Sequence, residues 1–214
     1  MNSVRLKKGK DKAARQKHPW IFSGAVEAVK GKPENGEVVT VTDDKGNFVA
    51  YGYYNNTSRV AVRLLEWDES REINDGWWRE KIKTAIETRS GILGDKSNTC
   101  RLIFSEADYL PGLIVDRYAG YLSVQILTSG IERAKEVVLD ALEELASPKG
   151  IFERSDAGAR AHEGLEPSSG LLRGEAPLEF VEVLENGVKY LVNIGEGQKS
   201  GFYCDQRDNR KLTA

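Results

Sequence analysis

The sequence predicts an α+β protein that opens with a small β-barrel and continues into a second unit of mixed helices and strands. Short β-branched or aromatic runs separated by Gly, Asn and Asp fill the stretch up to residue 65, the pattern of a small barrel. Beyond residue 70 helical and strand patterns follow one another without strict βαβα alternation, which excludes a doubly wound sheet there.

The elements can be read in order. Gly36 to Thr42 is a predicted strand, closed by the turn Asp43-Asp44-Lys45-Gly46-Asn47, and Phe48 to Tyr54 and Arg59 to Leu65 follow it. Acidic and polar residues from Trp67 to Asn74 interrupt the apolar rhythm and mark a boundary. Asp75 to Ile92 reads as a helix, with Asp75 as its N-cap. Arg101 to Ser105, Leu113 to Arg117 and Tyr121 to Leu127 read as strands, separated by turns at Pro111-Gly112 and Ala119-Gly120. Ala134, Val137, Val138, Ala141, Leu142 and Leu145 recur at helical spacing, so Ile131 to Leu145 is predicted as one amphipathic helix. Gly150 to Arg154 begins another strand, and Gly164 to Pro177 reads as a surface loop. Phe180 to Leu184 and Val188 to Val192 flank Asn186-Gly187, a strong hairpin signal. The densest polar run, Gly195 to Arg210, follows.

Composition narrows the function classes. The chain has 214 residues, 40% hydrophobic and 30% charged, with a formal net charge of -2, enough for one large domain or two small ones. No stretch approaches the roughly 20 apolar residues of a membrane span. The start is basic without an apolar core and does not read as a secretory signal. Two separated cysteines, Cys100 and Cys204, suggest neither a disulfide framework nor a metal site, and a reduced cytoplasmic location is the default. Without a secretory route, the sequons at Asn55 and Asn56 carry no glycosylation argument.

The charges are segregated. Arg5, Lys7, Lys8, Lys10, Lys12, Arg15, Lys17, Lys30 and Lys32 face only Asp11 and Glu27 in the first 32 residues, whereas 131–186 is rich in Glu. A basic end on a near-neutral chain suits a polyanion, although a solvated, frayed terminus explains it as well. Beside it, Trp20, Phe22, Tyr53 and Tyr54 could stack on bases. Since most aromatics of a small barrel are core, about one of them is expected to be available to a ligand.

Catalytic motifs are scarce. Gln198 stands where a phosphate loop needs Gly before Lys199-Ser200, and Ser200 breaks a G-x-G-x-x-G spacing. His18 and His162 have no metal-ligand spacing, and His18-Pro19 reads as an extended turn. Cys204 has no histidine in a local pattern and reads as a buried or half-buried structural thiol. On residues alone, Asp205 to Arg210 is either a salt-bridged helix start or part of a site.

Taken together, several segments settle on one family. They are His18-Pro19-Trp20-Ile21-Phe22-Ser23-Gly24, Gly52-Tyr53-Tyr54-Asn55 with Ser58 and Arg63, and Leu110-Pro111-Gly112-Leu113-Ile114-Val115-Asp116-Arg117-Tyr118. Glu153-Arg154-Ser155-Asp156, Glu163-Gly164-Leu165 and Glu196 to Arg210 complete the set. In this order, over essentially the whole chain, they resemble the class I large-subunit ribosomal RNA cytosine-C5 methyltransferases that begin with a PUA domain. Tyr109 and Cys204 depart from it, standing where Gly and Leu are expected.

The resemblance implies a PUA-like RNA-binding β-barrel at 1–67 and a central α+β domain at 70–180. It also implies, at 181–214, the leading hairpin of a Rossmann-type methyltransferase domain. It places Gln198, Lys199, Phe202, Asp205, Gln206 and Arg207 beside a pocket for S-adenosylmethionine. Ribosomal RNA is the implied partner, with Lys7, Lys8, Lys10, Lys12, Arg15, Lys17, His18 and Trp20 as its contacts. No metal or membrane is implied, and homodimerisation is left open. The glycine-rich cofactor loop, the ribose-binding acid and the cysteine that adds to cytosine are not found in these residues, so no tight cofactor binding and no catalysis are expected of this chain alone. The alternative is a stand-alone RNA-binding or regulatory protein.

Overall fold

The computed structural model describes residues 2–155, 158–197 and 201–213. The N-terminal residues build a six-stranded half-barrel from β1 (Ser3–Leu6), β2 (Trp20–Phe22), β3 (Val26–Lys30), β4 (Val38–Thr42), β5 (Phe48–Tyr54) and β6 (Val60–Glu66), in the order β2-β6-β5-β4-β1-β3. A short helix, α1 (Lys12–Arg15), lies between the first two strands. Half of this sheet escapes a reading of the sequence. Val4 and Leu6 alternate with charged neighbours and are fully buried, so β1 is an inner strand, parallel to β4 and antiparallel to β3. The basic stretch is therefore no frayed tail: the backbone of residues 3–6 is tied into the sheet, and the lysines that follow reach solvent.

The second unit is a five-stranded sheet of β7 (Thr99–Phe104), β8 (Leu113–Tyr118), β9 (Tyr121–Ile126), β10 (Gly150–Ser155) and β11 (Ser168–Gly174), in the order β11-β10-β9-β8-β7. β9 and β10 pair in parallel, which demands a crossover, and two helices supply it. They are α3 (Ser129–Arg133) and α4 (Lys135–Ala146), split at Ala134 where the sequence predicts one helix. The helix before the sheet, α2 (Asp75–Thr88), packs on α4 through Trp78, Ile82 and Ala85. Its cap is Asn74, whose side chain accepts the Trp77 amide at 3.0 Å, so Asp75 is the first helical residue and not the cap. The predicted 164–177 loop contains β11. Its Ser-Ser-Gly start hides any strand signal, but β10 would otherwise present an open edge, and β11 satisfies it.

The expected hairpin is present as β12 (Val181–Glu185) and β13 (Val188–Val192), with φ of 52° at Asn186 and 86° at Gly187 as its two-residue turn requires. Tyr118, Val181, Val183, Val192 and Ile194 form its own small core, which Phe202 and Tyr190 cover. A last short helix, α5 (Arg207–Thr213), ends the described residues. Among the described residues no helix is long and apolar enough to cross a membrane, and no group of three or more His, Cys, Asp or Glu could hold a metal.

The two sheets share a seam made from the motif residues. Tyr53 of β5 is buried in the core of the second unit, where its hydroxyl donates to the Pro111 carbonyl and lies 3.1 Å from the Thr128 hydroxyl. Gly130 lies flat against the Tyr53 ring, and a Cβ there would fall inside the ring. Asn55 is buried next to it, donating to Ser129 Oγ at 2.9 Å and to Glu163 Oε2 at 3.0 Å. Glu163 in turn accepts Arg63 Nη2 at 2.7 Å, with its own side chain 2% exposed. Replacing Glu163 by Ala leaves Arg63 and Asn55 without their shared acceptor, so urea unfolding should show a loss of about 3–5 kcal/mol. A change below about 1 kcal/mol would show that the seam tolerates solvent at this carboxylate.

Candidate functional site

The polar run lies against the free end of the hairpin and one edge of the second sheet. Arg154 holds its beginning, donating from Nη1 to the Ile194 carbonyl at 2.6 Å and from Nη2 to the Gly197 carbonyl at 3.1 Å. Tyr118, fully buried, donates from its hydroxyl to the Phe202 carbonyl at 3.3 Å. Phe202 stacks on Tyr190 and carries the Arg210 guanidinium 4.1 Å above its ring, while Arg210 forms a two-pronged pair with Glu185 at 2.7 and 2.8 Å. The side chain of Phe202 is thus turned into the small core. Gln198 and Lys199 lie outside the described residues.

A cleft of about 240 Å³ opens beside this run, lined by Arg89 and Ile92 near the end of α2, Cys100, Arg101 and Phe104 of β7, and Cys204, Asp205 and Arg207. Asp205 is exposed at the cleft, and Gln206 is exposed and accepts Asn209 Nδ2 at 2.6 Å. Arg207 is half-buried. Its Nη2 donates to Ser97 Oγ at 2.9 Å and to Asn186 Oδ1 at 2.8 Å, whereas its Nη1 is buried with no partner among the described residues. Sequence reasoning missed Arg89 and Arg101. Each holds an aspartate in two-pronged geometry, Asp108 at 2.6 and 2.8 Å and the fully buried Asp116 at 2.8 and 3.0 Å. No spacing signals such pairs, because their partners come from other elements.

Neither thiol in this cleft is set up as a nucleophile. Burial, reinforced by the charge of Asp116, pushes Cys100 up to about 11 and Cys204 up to about 12. The half-buried Cys204 agrees with the structural role read from the sequence. The cleft offers a guanidinium and an apolar wall to a ligand, and burial works against ionisation of both thiols.

The N-terminal candidates gather on the outer surface of the half-barrel. Lys7, Lys8, Lys10, Lys12, Arg15, Lys17, His18 and Trp20 are all exposed. Lys7 reaches the Gly24 carbonyl at 2.9 Å. Arg15 is engaged by Asp11 at 2.7 Å and Asp43 at 3.1 Å, which ties α1 to the 43–47 turn. Lys17 sits over the Trp67 ring at 4.9 Å, and the His18 ring meets Trp20 edge-on at 6.0 Å. Two of the four barrel aromatics are available instead of one: Trp20 and Phe22 are 37% and 50% exposed, Tyr53 is buried and Tyr54 is half-buried. The difference follows from β2 being an edge strand whose alternate side chains face outward.

The family model of a PUA-like domain matches residues 4–67. The N-terminal half-barrel is a PUA-like domain. Across 98% of its length the chain is similar to proteins named ribosomal RNA large subunit methyltransferase I. It is 40% identical over 210 residues to the one from Pseudoalteromonas translucida and 40% over 211 residues to one from Aliivibrio fischeri, covering 53% of each. The chain spans about half the length of the curated relatives it matches. Among solved structures, a proposed SAM-dependent methyltransferase from Streptococcus mutans superposes with a TM-score of 0.81 at 18% identity, over 99% of this chain and 54% of that one. A proposed methyltransferase complexed with SAH superposes with a TM-score of 0.80 at 18% identity, over 98% and 52%. At that identity the likeness establishes a shared fold over essentially the whole of this chain.

Thiol titration tests the geometry of the cleft. At pH 8 the native protein should react with a disulfide reagent at least tenfold more slowly than the urea-unfolded chain, because both thiols remain protonated and shielded. Fast reaction of Cys204 in the native state would contradict the burial that defines this wall.

Proposed function

We propose that these 214 residues are the RNA-gripping and cleft-shaping part of an S-adenosylmethionine-dependent methyltransferase acting on cytosine C5 of large-subunit ribosomal RNA, in the cytoplasm. The observation that carries it is the 40% identity, over 98% of this chain, to relatives named as large-subunit ribosomal RNA methyltransferases. A PUA-like domain with a basic outer surface supports the RNA side of the reading.

In this reading residues 1–67 bind RNA, 70–180 shape the substrate cleft, and 181–214 form the threshold of the cofactor domain. Lys7, Lys8, Lys10, Lys12, Arg15 and Lys17 contact phosphates, and His18 and Trp20 contact bases. Gln198, Lys199, Phe202, Asp205, Gln206 and Arg207 border the cofactor. The unspent Nη1 donor of Arg207 beside an apolar wall fits one polar end of a ligand such as S-adenosylmethionine. When bound, that cofactor supplies a methyl group made electrophilic by its sulfonium. Phe202 acts indirectly: pinned between Tyr190 and Arg210, it fixes the backbone that presents Asp205 to Arg207. Burial disfavours the thiolate at both Cys100 and Cys204, which supports the reading that the nucleophile for cytosine C6 is not among the described residues.

Binding of ribosomal RNA fragments should weaken steeply with salt. Replacing Lys7, Lys8, Lys10 and Lys12 by Gln should lower both the affinity and the salt slope, by about 0.7 for each single-strand phosphate that is no longer neutralised. Unchanged affinity in that variant would rule out the basic surface as the grip. A methyl-transfer assay on these residues alone should stay at background, and clear turnover would overturn the inactive reading.

A further inference from the structure

The exposed aromatics of the two sheets do not lie scattered. Trp20 and Phe22 project from the same face of edge strand β2, their rings 6.1 Å apart and edge-on, while Ile21 between them is buried. Arg63, directly opposite on β6, places its guanidinium 5.8 Å from the Trp20 ring. The Trp20 indole then crosses to the second unit, where Nε1 donates to Glu106 Oε1 at 2.8 Å. Glu106 belongs to the one-turn 3-10 segment Ser105–Asp108. Phe104 and Tyr109, immediately before and after that segment, are 48% and 41% exposed. Phe104 lines the Arg207 cleft, with Arg101 5.0 Å from its ring. Tyr109 meets Trp67 at 5.7 Å and has Lys81 5.7 Å from its ring.

Half-exposed aromatic rings flanked by cations suit one occupant better than others. An apolar protein helix would gain nothing from the cations Lys7, Lys17 and Lys81 at its margin, whereas unpaired bases stack on such rings and their phosphates meet such cations. Of the carboxylates along the path, Asp108 is consumed by Arg89 and Glu106 is engaged by the Trp20 indole, while Asp205 stays exposed at the cleft end. Lys7, reaching Gly24 two residues past Phe22, places a cation at the outer end.

We propose that this aromatic path is a base-stacking track that leads single-stranded RNA from the half-barrel, over Trp20 and Phe22 and across the Ser105–Asp108 turn, to Phe104 at the mouth of the Arg207 cleft. This rests on the RNA reading above and adds what that reading lacks: a surface for unpaired bases that joins the barrel to the cleft. Stacking supplies affinity without releasing phosphate counterions, so it separates from the lysine grip in a salt series.

The test is anisotropy titration of a labelled single-stranded ribosomal RNA fragment and its duplexed form, across salt concentrations, with the full chain. Trp20→Ala and Phe22→Ala should each weaken single-strand binding about tenfold with the salt slope unchanged, and should affect the duplex far less. Trp20→Phe keeps a ring but not the bond to Glu106, and should retain most of the affinity. Thermal melts should leave the alanine variants folded, since both side chains are exposed and their neighbour Ile21 stays buried. Wild-type binding with no loss in the alanine variants would overturn the track and leave the lysine grip standing. Equal losses on duplex and single strand, or an equal loss in Trp20→Phe, would also overturn it. If the alanine variants instead change the oligomeric state at constant RNA affinity, the surface is an interface between copies. No RNA binding by the wild type would remove both readings.

Discussion

A single buried carboxylate, Glu163, holds the two sheets in a fixed relation. It collects Asn55 and Arg63 from neighbouring strands of the half-barrel, in a place with almost no access to water. There a polar group without a partner costs far more than a surface contact gains, so the three side chains accept essentially one arrangement. Tyr53 adds directionality: its ring fills the space left by Gly130, and its hydroxyl finds the Pro111 carbonyl on the far side. The relation between edge strand β2 and the Ser105–Asp108 turn, and hence the bond between Trp20 and Glu106, depends on this joint.

The joint also changes how the motifs are to be understood. Tyr53, Asn55, Arg63, Pro111, Gly112 and Glu163 carry the family resemblance in the sequence, and in the structure most of them hold the sheets together. Gly112, for example, has φ of 91° and lies close against Thr128, which leaves no room for a side chain. The same holds further along. Arg154 fastens the start of the polar run, Ser155 accepts the Ile126 amide at 2.8 Å, and Glu153 pairs with Lys135 at 2.7 Å. Beside these anchors, Trp20, Phe22 and Asp205 keep exposed surface and Arg207 is half-buried.

Periodic segments were legible because their own side chains encode them. The strand Phe48–Tyr54, the 186–187 hairpin and, to within one residue, the start of α2 follow from local pattern alone. What escaped is what another segment decides. β1 is only four residues long and gains its identity from β3 and β4, and β11 exists because β10 needs a partner. The break at Ala134 lies within a continuous apolar stripe that no periodicity could divide. In the site, the polar run was visible as a dense cluster, but the Arg89–Asp108 and Arg101–Asp116 pairs behind it join residues 15 to 19 positions apart. Tyr109 is a different case. Glycine is expected there, and the observed φ of 57° explains the expectation, while the tyrosine that replaces it accepts the left-handed backbone and packs on Trp67.

The position of β1 has a consequence for how the half-barrel is assembled. The strand β1 is wedged between β3 and β4 and pairs in opposite senses with each. The sheet cannot close across β1 until residues 40–42 are brought back to residues 3–5, so its completion waits on a long-range pairing. Until then the inner edges of β3 and β4 carry unpaired amides and carbonyls, open to any other strand that meets them. Residues 3–6 therefore act as a keystone that joins β3 to the rest of the half-barrel.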